Sequence, residues 1–230
     1  MKKLLALILI GVFVIIGCGE DKQTDKTSDT DKVLKETTGM TQSEIETEAN
    51  AVTVSKKYPI KSGIITFERK GIIGTQKIIV YFDDYGIKER SETYNEDGSL
   101  DEIKFSDGEN MYIKNKYSED EKVFYIMGPG KFGTEMKFEP DPFKNDAKRA
   151  EKYKFKKQPN MNILGKDCEA YSTTISMGTT TFAGCDGILL YTKAELSIGI
   201  SETIAVDFKE DVEVDPSMFR VPEGYKTQKS

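Results

Sequence analysis

The sequence predicts a mainly β domain: an antiparallel sheet interrupted by one short helix. Three observations predict it. From Gly63 onward Val, Ile, Phe, Tyr and Thr recur at every second position, the pattern of strands with one buried face. Turn residues separate these runs at intervals of about 10 to 13 residues, the spacing of an antiparallel meander. One stretch, 141–156, changes period from two to 3.6, which is helical.

The first strands place Ile78, Val80 and Phe82 on one face, Ile103 with Phe105, and Met111 with Ile113. The breaks are Asp84-Tyr85-Gly86, Glu96-Asp97-Gly98, Asp107-Gly108 and Ser118-Glu119-Asp120. Asp-Gly tolerates the positive φ of tight hairpin turns. In the helical stretch Asp141 suits the N-cap, Pro142 the first position, and Phe143, Ala147 and Ala150 form one stripe. Its polar face is basic. Between Lys144 and Lys157 seven Lys or Arg, including Lys144, Lys148, Arg149 and Lys152, stand against Asp146 and Glu151. Such a face either is simply solvated or meets anionic headgroups or an acidic partner.

The second strand set starts after Gly165. "DCEAYSTTIS" and "TTTFAGC" flank Met177-Gly178 and read as a hairpin. Cys168 and Cys185 sit nearly symmetrically about that turn, so pairing puts them on neighbouring strands within one or two register positions. A disulfide there contributes about 3 kcal/mol; the alternative is two free thiols off register. Ile198, Ile200, Ile204, Val206 and Phe208 are expected to line one face of the last long strand. Asp215 then caps a turn with Pro216, Met218 and Phe219 tuck back on the sheet, and 227–230 is a tail.

The N-terminus reads as an address. Lys2 and Lys3 precede Leu4 to Gly17, an uncharged run of 14 residues. A membrane-spanning helix takes about 20 residues, whereas this length fits a signal-peptide core. Ile15-Ile16-Gly17-Cys18 resembles the bacterial lipobox. The resemblance implies cleavage after Gly17 and acylation of Cys18 on sulfur and on its new amino group, with Ile15 where leucine is commonest. Two or more acyl chains hold a protein stably on a membrane. Residues 18–55 are polar and charged, expected to be a flexible tether; 56–226 is expected to be one β domain. Gly19 is not the aspartate of inner-membrane retention, so an outer membrane is expected if the cell has one, on its periplasmic side or surface. Otherwise the expectation is the outer face of the cell membrane.

Composition excludes several functions. Net charge is −6, and removing residues 1–17 takes Lys2 and Lys3 and no acid, leaving −8. That argues against nucleic acid. No histidine is present, so no Ser-His-Asp triad, Cys-His pair or His-bearing zinc site exists. No phosphate loop, nucleophile elbow or calcium loop occurs. Asp83-Asp84 is better read as exposed turn acids than as acid/base groups. No catalytic residue, metal site or cofactor is expected, and a monomer is as well supported as any assembly.

The strand meander, the interposed helix and the closing "DPSMFRVPEGY" resemble the Lol lipoprotein-carrier superfamily over residues 58–226; "VYFDDYGIKE" and "NILGKDCEAY" resemble an uncharacterised exported branch of it. The resemblance implies a strongly curved antiparallel sheet, an incomplete barrel, with the helix over its concave apolar face. It also implies an acyl chain or lipidated partner held in the concavity, lined by the apolar strand residues named above. Met111, Met127, Met136 and Met161 suit a pliable lining. Carriers proper grip their partner through an arginine, and none of Arg69, Arg90, Arg149 and Arg220 matches it by pattern. Two functions follow: an anchored binding module, or a structural lipoprotein with a filled core.

Overall fold

A computed structural model describes residues 56–117, 122–129 and 147–229. Gly17, Cys18, the expected tether, the Ser118 turn, Met136, Asp141 to Phe143 and Lys144 lie outside the described residues, as does the side chain of Arg149.

Twelve strands form one sheet. In chain order they are β1 (Gly63–Gly71), β2 (Gly74–Asp83), β3 (Lys88–Asn95), β4 (Leu100–Ser106), β5 (Asn110–Asn115), β6 (Val123–Pro129), β7 (Lys156–Ile163), β8 (Lys166–Ile175), β9 (Gly178–Cys185), β10 (Ile188–Leu196), β11 (Gly199–Glu210) and β12 (Lys226–Lys229). Their spatial order is β12-β6-β5-β4-β3-β2-β1-β11-β10-β9-β8-β7. The sheet is curved and unclosed, with β12 and β7 as its edges. All neighbours are antiparallel except β12, which runs parallel to β6. Helix α1 is Ala147–Lys152.

Two strands were not legible in the sequence pattern. β7 falls between the expected helix and the strand set expected after Gly165, and its residues are mostly polar and exposed, so no strand pattern marks it. It is an edge strand with a bulge between Gln158 and Met161, and Pro159 sits there without costing a ladder bond. Lys226–Lys229 is a strand rather than a free tail; it is short, wholly exposed and paired on one side only.

Register sorts the side chains, because residues directly opposite on neighbouring strands share a face. Ile65, Val80 and Ser91 are opposite one another, and Ser91 is opposite Lys104, which is opposite Ile113. This core face carries the main cluster of Tyr58, Ile65, Phe67, Ile78, Val80 and Phe82 from one half and Ile163, Cys168, Ala170, Ala183, Ile188 and Leu190 from the other. The opposite face carries Tyr81, Arg90, Phe105 and Tyr112 in one row. Phe105 stacks on Tyr112 at 4.6 Å and meets the edge of Phe124 at 5.3 Å.

Chain segments cover both faces among the described residues. Residues 56–61 lay Tyr58 on the core face, its ring 4.2 Å from Phe82. On the way from β11 to β12 the chain crosses the aromatic face, where Arg90 Nη1 donates to Met218 O at 3.2 Å and Tyr225 lies 5.4 Å from Phe124. Asp215 Oδ1 accepts from Ser217 N at 2.8 Å, capping a 3₁₀ turn at Pro216–Phe219 with Phe219 buried, as the sequence predicts. In α1, Ala147, Lys148, Glu151 and Lys152 are exposed.

Candidate functional site

The expected lining does not form one surface. Ile78, Val80 and Phe82 lie on the core face and are closed off from solvent, whereas Ile103 and Phe105 lie opposite Glu92 and Arg90 on the other face. Odd and even positions look equivalent in a sequence; only register relates one strand's face to the next. Met111 and Ile113 do share the core face with Phe82 and Val80, through Glu89–Ser106 and Ser91–Lys104. Both are half-buried, so the closed core opens toward β5.

The last long strand departs further. A bulge lets Ala205 and Asp207 face Phe67 and Thr66, with Val206 looped out between them. The alternation therefore breaks. Ala205 is buried, Ile204 and Phe208 pack on the core from either side of the bulge, and Ile198, Ile200 and Val206 are exposed. The expectation of five residues on one apolar face is corrected accordingly.

Two buried charged groups were missed by sequence reading. Glu89 is fully buried, and its Oε2 accepts from Lys57 Nζ and, at 2.9 Å, from Tyr58 Oη. Oε1 has no hydrogen-bond partner among the described residues. Burial, then the charge of Glu89, pushes the Tyr58 hydroxyl well above its ordinary pKa. The backbone completes this lock: Lys57 N and Tyr58 N both donate to Tyr85 O, and Tyr85 N donates to Lys61 O. Gly86 is obligatory there, since a Cβ would lie 2.6 Å from the Tyr58 ring. So the turn that carries Asp83, half-buried, and Asp84, exposed as expected, also clasps the start of the domain through Tyr85 and Gly86. Lys56 adds a cation–π contact with Tyr85 at 3.5 Å.

On the aromatic face Arg90 Nε donates to Glu92 Oε1 and Tyr94 Oη to Glu92 Oε2, both at 2.7 Å. Burial and the Glu92 bond push Tyr94 up to about 12. Arg69 is held by Thr203 Oγ1 and Gln76 Oε1. Both arginines are thus engaged inside the body, and Arg220 is exposed. Glu169 and Gly184 are register partners, so Cys168 and Cys185 are directly opposite, and they are joined by a disulfide. Among the described residues no group of three possible metal ligands is gathered.

No family model and no curated protein matches the sequence. Solved structures do. An uncharacterized conserved protein from Thermus thermophilus is similar with TM-score 0.52 and 10% identity, covering 82% of this chain and 100% of that one. The fold is shared. The complex of MucA and MucB from Pseudomonas aeruginosa (TM-score 0.46, 10% identity, 72% of this chain and 57% of that chain) is a more remote likeness. So is the Mycobacterium tuberculosis lipoprotein LppX (TM-score 0.35, 12% identity, 75% and 97%). These last two carry no inference about this chain.

Proposed function

We propose that this chain is an exported, non-catalytic binding lipoprotein, cleaved after Gly17, held by acyl chains on Cys18 and lifted from the membrane by residues 18–55. Its ligand is an apolar molecule or lipidated partner, seated where the core face opens over Met111 and Ile113. The observation that carries the ligand reading is the change in burial along one register row. Val80 and Phe82 are closed; Ile113 and Met111, on the same face three strands away, are half-exposed. Half-exposed apolar side chains continuing a closed core are where additional apolar surface is buried most readily. The clasp of Lys57, Tyr58 and Glu89 supports the tethered reading, because it fixes the first residues of the body where the tether ends.

A second reading has its own support. Ile78, Val80, Phe82 and Phe105 are already buried by protein, as in a structural lipoprotein with a filled core. Native mass spectrometry of the full protein extracted from membranes separates the two. Bound apolar mass that is lost from Met111→Asp/Ile113→Asp supports the binding module. A mass that never exceeds the acylated chain supports the filled core.

A further inference from the structure

Three hairpins end on large apolar residues, and all three tips meet at one end of the sheet. The turns are Ile72-Ile73 between β1 and β2, Ser176-Met177 between β8 and β9, and Ser197-Ile198 between β10 and β11. Two-residue turns ordinarily carry Asn, Asp or Gly. The tips touch in series: Ile72 lies against Gly199, and Ser197 N donates to Met177 O at 3.0 Å. Ile72, Ile73, Ile198 and Ile200 are 57%, 64%, 54% and 55% exposed. A contiguous exposed aliphatic rim of this kind marks an interaction surface.

The basic segment lies at the same end. Tyr153 O accepts from Thr174 N at 2.7 Å, two residues from the Ser176-Met177 turn, and Lys156 is opposite Ser172. Lys148, Lys152, Lys154 and Lys156 are exposed, and no ion pair holds any of them among the described residues. The charges on the tip strands themselves cancel: Lys70 pairs with Glu68 and Lys193 with Glu195. The acidic Glu96-Asp97 turn lies at this end but on the far side of β2. The Lys57–Glu89 clasp lies at the other end of β2.

We propose that this rim docks on an anionic lipid surface, with Ile72, Ile73, Met177 and Ile198 entering the headgroup boundary and Lys148, Lys152, Lys154 and Lys156 over the phosphates. Aliphatic tips flanked by lysines outside ion pairs are the composition that binds such surfaces. The same membrane is within reach if, as proposed above, Cys18 anchors the chain and residues 18–55 are a flexible tether: such a chain spans about 34 Å, and β2 is 10 residues long, about 33 Å at strand rise.

The chain contains no tryptophan, so an indole placed at the rim is its own reporter. Full-length Ile73→Trp is reconstituted in phosphatidylglycerol vesicles with brominated acyl chains, beside Lys61→Trp at the clasp end. The expected result is a blue-shifted, quenched indole at position 73 and an unquenched one at 61. Adding Lys152→Glu, Lys154→Glu and Lys156→Glu, or replacing the lipid by phosphatidylcholine, lowers quenching at 73 at least twofold. An unquenched indole at 73, equal quenching at 61, or indifference to both charge changes overturns the proposal. Intact mass of the same sample reads acylation at Cys18 separately, so that failure and this one are distinguishable.

Discussion

Replacing Lys57 with methionine leaves Glu89 as a charge without a counter-ion in a site closed to water. Lys57 and Glu89 are 7% and 0% exposed. Breaking a buried pair from one side costs about 3–5 kcal/mol, against less than about 1 kcal/mol for an exposed pair. The body has about 170 residues. At roughly 2.1 cal/mol/K per residue its unfolding entropy is about 0.36 kcal/mol/K, so Tm falls by about 8–14 °C. Lys57→Met/Glu89→Gln removes both charges and keeps an acceptor for Tyr58 Oη. It recovers all but about 1–2 kcal/mol. Calorimetry and equilibrium urea unfolding of the three proteins read these values. A Lys57→Met loss below about 1 kcal/mol, or a double variant as unstable as the single one, means that the pair is not a desolvated clasp.

Further outcomes are expected. Cys168→Ala/Cys185→Ala lowers stability by about 3 kcal/mol, the loop entropy of a bridge 17 residues apart, and reductant moves the urea midpoint of the parent but not of the double variant. In alkali, Tyr58 keeps its proton in the folded state above the unfolded value of 10.0. Its contribution is therefore intact below about pH 10 and declines as pH rises, by up to about 1.4 kcal/mol per pH unit. Tyr58→Phe flattens the alkaline limb of the stability profile by that slope. Cys18→Ala leaves the protein without acyl groups, and fractionation of cells shows it unprocessed or released rather than as an acylated mature form.

The strands of the meander were legible because half-buried strands write a period of two into the chain. The Cys168–Cys185 hairpin was legible for the same reason, with a symmetric pair of sulfurs about a tight turn. The Asp215 cap and buried Phe219 were legible as local chemistry. What stayed hidden depends on partners distant in sequence. Ile78 and Ile103 look alike until register puts them on opposite faces, and the bulge at Val206 inverts a pattern that reads as unbroken. β7 and β12 are edge strands whose residues face water, so no hydrophobic period announces them. Lys57 and Glu89 are 32 residues apart, and their burial follows from a chain crossing that no local pattern encodes. The apolar tips did leave a signal in Ile72-Ile73-Gly74, Met177-Gly178 and Ile198-Gly199, an aliphatic residue before glycine where a polar one is usual.

An acylated body whose core face takes an apolar ligand has a distinct mass in the gas phase. Native mass spectrometry of the full protein released gently from membranes reads it. The expected species begins at Cys18, carries acyl mass, and holds additional apolar mass that Met111→Asp/Ile113→Asp abolishes. A chain that begins at Met1 or lacks acyl mass contradicts the anchor, and a bare acylated chain with no bound mass contradicts the ligand seat.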